Sequence, residues 1–502
     1  MFRSRALFRQ YFAAAIATLS VMMAGTSMGW PSPVLRLFKE NPNHLLPNET
    51  FIQMTSDQSS WVVSIIELGN LVTPIPFGFL VDSVGRKPCL LTTGPLYIIS
   101  WLLVIFTKHV YVLYVVRFMQ GLAMGIVFTV APMYIGEIAG AKCRGALSTF
   151  FIGMLNTGIL LEYLVGPFVD YDTLAYVSLV IPVVFLMTFI WMPESPYFLI
   201  MKERDLDAKK SLYWLRGGRE ASSDKINLEL YNMKQDVEKE MKLSFDFMDI
   251  ISTPANRRSL LIVQIVAVAD VISGMSAVLP YASSTFARTE GAWITPDQCT
   301  LLLGVLVFLS TFPTAFLVDR TGRRPLLLVS CFGSGISQLT AGTYYLLTEN
   351  YKMNLTPINW LPFTSITCFA VIYSIGLGPL VPTLQGEFFP SNTRGLAGGV
   401  TTITLTVISF LVMKMYQVII DHYGVYLNYY IYSVGCIVCG VLVYFIIPES
   451  KGKTFAQIQD ELNSHIAHKS KRKEEKKQTK IEASNKKAEI ERNNKVENKI
   501  EA

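Results

Sequence analysis

Two short turns carry oppositely charged side chains around a glycine. The first is Asp82-Ser83-Val84-Gly85-Arg86-Lys87-Pro88, and the second is Asp319-Arg320-Thr321-Gly322-Arg323-Arg324-Pro325. A carboxylate and an arginine in such a turn can form charge-assisted hydrogen bonds, which are stronger than neutral ones. Glycine permits the tight turn because it tolerates positive φ. The sequence therefore predicts two equivalent charged turns, each joining two long apolar segments.

Other charged motifs are repeated in the same order along the chain. Gly136-Glu137 with Arg144-Gly145 is matched by Gly386-Glu387 with Arg394-Gly395, and Pro193-Glu194-Ser195 is matched by Pro448-Glu449-Ser450. The number of residues between the Glu and the Arg is the same in both copies. Three motifs repeated in order indicate an internal duplication. We predict that the chain consists of two homologous halves.

Ionisable residues also occur inside the apolar segments. Asp270 lies about twelve residues into one segment, near the middle of a membrane-spanning helix. Glu67 lies in another segment, on one helical stripe with Ser64 and Asn70. A charge in the membrane is costly unless it faces water or a partner, so we predict that both acids line a solute path. The alternative is a neutral, protonated acid that is hydrogen-bonded inside the helix bundle.

Glu162 and Lys414 lie closer to the ends of their apolar segments. Side chains at such positions can extend to the lipid headgroups while their stems stay in the apolar region. We predict this arrangement for both residues. We also predict that Pro280 interrupts its helix, because proline removes a backbone hydrogen bond.

The composition is that of a membrane protein with many spans. Of the 502 residues, 51% are hydrophobic and 16% are charged, which is unlike an ordinary soluble protein. The net charge of +6 arises in loops and the tail and does not indicate a nucleic-acid partner. We find no nucleophile–base pair, metal-ligand cluster or phosphate-binding loop, so the sequence predicts no enzyme, no cofactor and no metal.

The apolar segments predict an all-α membrane protein with about twelve spans. Their approximate residues are 11–30, 60–81, 89–106, 111–135, 147–167, 173–192, 259–281, 301–318, 326–347, 361–385, 396–420 and 426–447. Arginine-rich turns favour the cytoplasm, so both termini are predicted to be cytoplasmic. The first segment is long enough to span and is predicted to be a helix rather than a cleaved signal. Asn48-Glu49-Thr50 falls in an outer loop and is a candidate glycosylation site.

Composition also divides the chain into four regions. We predict an N-terminal six-helix half over 1–199, a cytoplasmic helical linker over 200–256, a C-terminal six-helix half over 257–448 and a charged cytoplasmic tail over 449–502. Within the linker, 207–215 and 226–243 are predicted to form amphipathic helices. Beyond about residue 465 the tail is rich in Lys, Glu and Asn, which predicts disorder.

The chain resembles the sugar porters of the major facilitator superfamily over roughly residues 10–460. The matching motifs are the two turns, the repeated Gly-Glu…Arg-Gly pairs, Arg117-Phe118-Met119-Gln120-Gly121, Pro193-Glu194-Ser195-Pro196-Tyr197-Phe198-Leu199 and Pro448-Glu449-Ser450-Lys451-Gly452-Lys453-Thr454. Within that family, the chain is most similar to the branch of facilitated trehalose transporter-like proteins. The resemblance implies the major facilitator fold and transport by alternating access.

The resemblance also implies a gating role for the repeated charged residues. The N-half cluster would be Arg86, Glu137, Arg144 and Glu194, and the C-half cluster would be Arg323, Glu387, Arg394 and Glu449. Gly85 and Gly322 would form the turns, which Asp82 and Asp319 would anchor, and Arg117 belongs to the same set of family motifs. Carboxylates and arginines paired in this way form a latch that alternating access can close and break.

The substrate path departs from the pattern of the sugar porters. The family's amide ligands and aromatic ring correspond here to Ile152, Asp270, Val271, Ser276, Pro382 and Leu405. Amides suit sugars because hydroxyl groups need paired donors and acceptors. The residues left as candidates for the substrate path are Glu67, Asn156, Asp270, Ser273, Ser276, Tyr281 and Gln385. Of these, Asp270 and Ser273 are predicted to share one helix face with Ala277.

Together these features predict a facilitative carrier in the lipid bilayer, working as a monomer on a sugar or related small polar solute, most simply in the plasma membrane. One alternative is a carrier of a cationic or polyol solute. Another is proton coupling through Asp270 or Glu67, although Ser27 stands where proton-linked relatives carry an aspartate opposite Arg117. A third alternative, from a different class, is a nutrient sensor that does not transport.

Overall fold

The computed structural model describes residues 2–40, 54–140, 143–217, 223–241, 249–289, 294–389, 391–453, 457–458 and 461–462. All regular elements in these ranges are helical. The α-helices are α1 (Phe2–Gly29), α2 (Pro31–Glu40), α3 (Ser56–Val72), α4 (Pro74–Val84), α5 (Arg86–Leu91), α6 (Thr93–Phe106), α7 (Val110–Ile138), α8 (Arg144–Val165), α9 (Tyr171–Phe189), α10 (Pro196–Met201), α11 (Asp205–Leu215), α12 (Ser223–Met241), α13 (Asp249–Ser252), α14 (Pro254–Ile272), α15 (Met275–Phe286), α16 (Pro296–Thr321), α17 (Arg323–Tyr345), α18 (Leu361–Ile375), α19 (Leu377–Phe388), α20 (Ser391–Tyr423) and α21 (Val425–Ile446).

The helices supply up to twelve membrane spans. Among the described residues, eleven helical segments are long and apolar enough to cross a membrane, and the pair α3 and α4 makes a twelfth if it counts as one span. Six spans lie in α1–α9, here called the N-terminal set, and six lie in α14–α21, the C-terminal set. The short helices α10–α13 lie between the two sets in the order of the chain. The protein is therefore a multi-pass membrane protein.

Both charged turns lie at the same end of the helix bundle. We call the end that carries the turns 82–88 and 319–325 the basic face, and the other end the opposite face. Helix α3 begins at the opposite face, where Thr55 forms a capping box with Gln58, and Thr295 does the same with Gln298 at the start of α16. These caps satisfy backbone N–H groups that have no partner within the helix.

Several spans are bent or interrupted inside the membrane. The axis turns by 45° between α3 and α4, where Pro74 follows Thr73, because a proline lacks a backbone N–H and its ring crowds the carbonyl group of the preceding turn. The seventh span breaks between α14 and α15 at Gly274, whose φ is +80°. The tenth breaks between α18 and α19 at Gly376.

The predicted break at Pro280 is wrong, because Pro280 lies inside α15. A proline there removes only one backbone hydrogen bond. Gly274 takes up a left-handed conformation that side-chain-bearing residues rarely adopt, so it ends the helix. The single face predicted for Asp270, Ser273 and Ala277 is therefore split between α14 and α15. The linker helices begin slightly earlier than predicted, at Asp205 and Ser223.

Two helix pairs of the N-terminal set pack backbone against backbone through glycine. A Cβ added to Gly158 of α8 would lie 2.3 Å from the carbonyl oxygen of Met22 in α1, and one added to Gly25 would lie 2.1 Å from that of Leu155. Helices α3 and α7 meet in the same way at Gly69 and Gly121. Small residues let membrane helices approach closely and gain van der Waals contact.

Candidate functional site

The charged cluster of the N-terminal set lies at the basic face. The Nε of Arg86 donates to Glu137 over 3.1 Å, and its Nη1 lies 3.1 Å from a carboxylate oxygen of Asp82. Glu194 accepts hydrogen bonds from the backbone N–H of Lys87, at 3.1 Å. The hydroxyl of Ser195 donates to Glu137. The structure thus brings the predicted Asp82, Arg86, Glu137 and Glu194 together.

The C-terminal set carries the equivalent cluster. Two guanidinium nitrogens of Arg323 contact the same carboxylate oxygen of Glu387, Nε at 2.9 Å and Nη2 at 2.8 Å. Glu449 accepts hydrogen bonds from the backbone N–H groups of Arg323 at 3.0 Å and Arg324 at 3.1 Å. The side chains of Arg144, Asp319 and Arg394 lie outside the part of the chain that the structure describes, as does Asn48.

The turn glycines are required by both conformation and space. Gly85 has φ +116° and Gly322 has φ +94°, which is unfavourable for any residue with a Cβ. A Cβ on Gly85 would lie 2.5 Å from a carboxylate oxygen of Glu194, and one on Gly322 would lie 2.9 Å from Glu449. The glycines therefore let each carboxylate reach the backbone of its turn.

The two glutamates respond differently to their surroundings. Burial raises the pKa of Glu194 and outweighs the backbone hydrogen bonds that it accepts. At Glu449 burial acts in the same direction, but backbone N–H groups beginning with that of Lys451 dominate and lower the pKa. The stabilising contribution of Glu449 is lost as the pH falls through its lowered pKa. The stabilising contribution of Glu194 depends on pH in the opposite direction: it is present at low pH and is lost as the pH rises through its raised pKa.

Arg117, predicted among the gating residues, lies elsewhere in the fold. It is 1% exposed and donates to the carbonyl oxygens of Ser27 and Val62, at 2.5 and 2.9 Å, and to Gln120. It therefore ties α1 and α3 to α7. It is twenty residues from Glu137 on α7, about 30 Å along the helix, so it belongs to neither basic-face cluster.

Contacts between the two sets concentrate from mid-depth to the opposite face. The ammonium group of Lys414 lies 2.6 Å from Asp57, 2.7 Å from the Ser60 hydroxyl and 4.3 Å from the ring centre of Trp61. Because these partners belong to α3 and Lys414 belongs to α20, the contact joins the sets. Lys414 thus pairs within the protein, with a partner in the exposed first turn of α3, and its extension to the headgroups stays a prediction.

Apolar and aromatic side chains reinforce this closure. Tyr281 is 1% exposed, and its ring centre lies 4.6 Å from that of Tyr416. The hydroxyl of Tyr163 donates to the carbonyl of Leu279 across the sets, at 2.7 Å. Arg36 also pairs with Asp297 across them. Both stacked rings belong to the C-terminal set, and the predicted path residue Tyr281 takes part in the closure through a buried apolar cluster that also contains Leu35 and Tyr163 of the N-terminal set.

Two other predicted path residues also connect the sets. Asn156 donates to Thr311 over 2.9 Å. Both carboxylate oxygens of Glu67 have partners, one in Asn70 at 3.2 Å and the other in Ser409 of α20 at 3.1 Å. These polar bridges lie near mid-depth and belong to the same closure.

The remaining path candidates lie in the C-terminal set. Asp270 is partly buried near the break in the seventh span, while the Ser273 hydroxyl donates to the carbonyl of Asp270 at 2.5 Å. Ser276 begins the first turn of α15. Gln385 lies against Gly398 one turn from Glu387, so it is closer to the basic face than to mid-depth.

The prediction that Glu162 extends to the headgroups is wrong. Its side chain is 0% exposed and accepts a hydrogen bond from the Ser178 hydroxyl at 2.5 Å. The side chain is enclosed between α8 and α9. The hydrogen bond from Ser178 offsets part of the free-energy cost of burying the carboxyl group. Sequence analysis missed Lys414 as a link between the sets, because its partner lies 357 residues away.

Comparison with known proteins identifies the family. A family model described as "Sugar (and other) transporter" matches residues 13–462. The chain is 31% identical over 463 residues to the facilitated trehalose transporter Tret1 of Culex quinquefasciatus, covering 92% of this chain and 87% of that protein. It is 30% identical to Tret1 of Aedes aegypti, covering 92% of this chain but only 56% of that protein.

A solved structure shows the same fold. The inward-open form of the xylose transporter XylE from E. coli has a TM-score of 0.73 and 20% identity, covering 90% of this chain and 99% of that one. The predicted all-α major facilitator fold is confirmed, as is the resemblance to the sugar porters. The chain belongs to the sugar transporter family, a family of carriers rather than enzymes.

Proposed function

We propose that the protein is a facilitative carrier that moves a sugar or a related small polar solute by alternating access. The observation that carries the proposal is the closure of the opposite face by bridges between the sets, such as Lys414 with Asp57 and Glu67 with Ser409. Such bridges can break and re-form as the two sets rock against each other. Both sets belong to one chain, so the unit that cycles is a monomer embedded in the lipid bilayer.

The basic-face clusters supply the second gate in this proposal. Each cluster joins helices within its own set: Arg86 with Glu137 in one, and Arg323 with Glu387 in the other. Arg144 and Arg394 occupy equivalent positions in the two repeated Gly-Glu…Arg-Gly motifs. They complete a latch that holds the basic face closed in the other state of the cycle, with each six-helix half moving as one body.

The side chains of the substrate path bear on the choice of solute. The curated relatives are named as trehalose transporters, yet Ile152, Val271, Pro382 and Leu405 stand where sugar porters place sugar ligands. Each lost hydrogen bond in a desolvated site costs about 1 kcal/mol, and about 1.4 kcal/mol corresponds to tenfold in affinity. We therefore expect weak binding of neutral sugars.

Solute exchange across the membrane of proteoliposomes tests the proposed carrier function. We expect saturable exchange of at least one solute from a panel of sugars, polyols and amines, with no acceleration by a proton gradient. Trehalose and glucose should exchange slowly because their usual ligands are replaced. Absence of saturable exchange for every solute would contradict the carrier, whereas rapid trehalose exchange would contradict only the altered pocket.

We further propose that the basic face and both termini are cytoplasmic, with the protein in the plasma membrane. The arginines of the turns 82–88 and 319–325 support this orientation through the positive-inside bias. We expect a glycan at Asn48, because 41–53 would then lie outside the cell. The measurement is a shift in electrophoretic mobility after glycosidase treatment, with Asn48→Gln as the control. An epitope near residue 48 that is accessible only after the membrane is permeabilised would reverse the orientation.

A further inference from the structure

The break in the seventh span is held by specific contacts. The amide of Gln338 in α17 donates to the carbonyl oxygen of Ser273 at 2.5 Å. A Cβ on Gly274 would lie 2.3 Å from the ring of Tyr432 in α21. Exposed backbone groups are tolerated in a membrane only where other groups satisfy them, so this interruption is a built part of the fold.

The break in the tenth span is held from the same helix. The hydroxyl of Ser330 in α17 accepts from the backbone N–H of Leu377 and donates to the carbonyl of Ile372, both at 3.1 Å. Residues 330 and 338 are eight apart, two turns along one side of α17. One helix therefore supports both interruptions. Interrupted helices at mid-depth are where carriers of this general kind bind solutes.

Asp270 and Tyr373 connect the two interruptions. Asp270 lies halfway along the span Pro254–Phe286 and two residues before the end of α14. Tyr373 lies two residues before the end of α18, and its side chain is a neighbour of the Asp270 carboxylate. The C-terminal end of a helix carries a partial negative charge. An ionised Asp270 carboxylate adds to that charge, which makes the space between the interruptions favourable for a cation.

Nothing in the described part of the chain neutralises this negative site. The Oδ1 atom of Asp270 is buried with no hydrogen-bond partner among the described residues, and none of their lysines or arginines forms an ion pair with it. The Ser276 hydroxyl just beyond the break is likewise buried without a partner among them. In contrast, both oxygens of Glu67 are engaged. Of the two acids on the predicted solute path, Asp270 is therefore the one that keeps a carboxylate oxygen free to bind a ligand.

We propose that Asp270 binds the protonated amine of a hydroxylated solute, so that the carrier selects amino sugars or similar cationic polyols over neutral sugars. A cation would compensate the carboxylate and the helix end, while Tyr373 and Ser276 would meet ligand hydroxyl groups. A neutral sugar at the same place leaves the charge uncompensated. The inference rests on the proposed carrier function, because it concerns the substrate of the same path.

Binding of matched sugars to the purified full-length protein tests the inference. Glucosamine, N-acetylglucosamine and glucose share one ring, but only the first carries a charged amine. By calorimetry, at a pH at which the amine is protonated and the Asp270 carboxyl group is ionised, we expect glucosamine to bind about tenfold or more tightly than either neutral sugar. Asp270→Asn removes the charge with little change in shape and should abolish that preference. Glu162→Gln also removes a buried carboxylate, but outside this site, and should preserve the preference.

The possible outcomes separate the two proposals. Equal affinities for glucosamine and N-acetylglucosamine in the wild-type protein would overturn the inference even if Asp270→Asn failed to fold. A preference that survives in Asp270→Asn would also overturn it. Saturable exchange of neutral sugars without any charge preference would leave the carrier intact and refute the inference. A charge preference without exchange of any solute would support the site and refute the carrier.

Discussion

Gly158→Ala is expected to lower the melting temperature of the purified protein, whereas Gly153→Ala on the same helix is expected to leave it unchanged or raise it. At residue 158 the added methyl group would lie 2.3 Å from the carbonyl oxygen of Met22, which is backbone and cannot move aside alone. Helices α1 and α8 must separate. Overpacking typically costs about 1–3 kcal/mol.

Gly153 provides a matched control because nothing lies within 4 Å of the position of its Cβ. There the substitution brings only the better helix propensity of alanine, up to about 1 kcal/mol. Thermal unfolding in detergent, monitored by size-exclusion chromatography, measures both variants. If Gly158→Ala proved as stable as Gly153→Ala, the close approach of α1 and α8 would be refuted.

Lys414→Met is expected to shift the protein toward a state that is open at the opposite face. The change removes the contacts of Lys414 with Asp57, Ser60 and Trp61 but keeps an apolar side chain of similar length. Asp57 is largely exposed, so the pair is worth less than a buried one. A loss of about 1–2 kcal/mol would change the ratio of states by about 5- to 30-fold.

Distances between spin labels at Ser56 and His422, both at the opposite face, measure this shift. Lys108→Met is the matched control, because Lys108 pairs with Asp172 at 2.5 Å and lies over the ring of Tyr171, all within the N-terminal set. We expect longer distances for Lys414→Met and no change for Lys108→Met. Identical distance distributions in both variants would refute the role of Lys414 in closure.

The same pair of labels tests the latch proposed at the basic face. Arg144→Ala and Arg394→Ala should each favour the state that is open at the basic face, and therefore closed at the opposite face. The Lys414→Met shift should consequently be reduced when it is combined with either change. Arginine variants that behave like the wild type in this combination would remove Arg144 and Arg394 from the latch.

The sequence was informative wherever a local motif was duplicated. Arg86 with Glu137 and Arg323 with Glu387 are far apart in the chain, yet the resemblance to the sugar porters, which the repeated turns and Gly-Glu motifs carry, implied that they belong together. The positive φ of Gly85 and Gly322 was predicted because each glycine lies in a tight turn between two spans. The family motifs thus carried information about contacts that composition and periodicity do not contain.

Contacts that depend on packing between distant helices could not be predicted in this way. Lys414 has no sequence signal that selects Asp57, and Tyr373 stands in an apolar segment with nothing to mark it as a neighbour of Asp270. The expected break at Pro280 failed because local proline chemistry was weighed without Gln338 and Tyr432, which hold the chain open at Gly274. Such tertiary contacts decide whether the helix is interrupted at Gly274 or at Pro280.

The closed opposite face has a kinetic consequence for net transport. An empty carrier must break the Tyr163 hydrogen bond and the Lys414 ion pair, which join the two sets, before it can reload from that side. A loaded carrier can recover part of that free energy from its ligand as it passes between states, whereas an empty one cannot. Net flux is then limited by the return of the empty carrier, and substrate supplied on the far side accelerates the cycle.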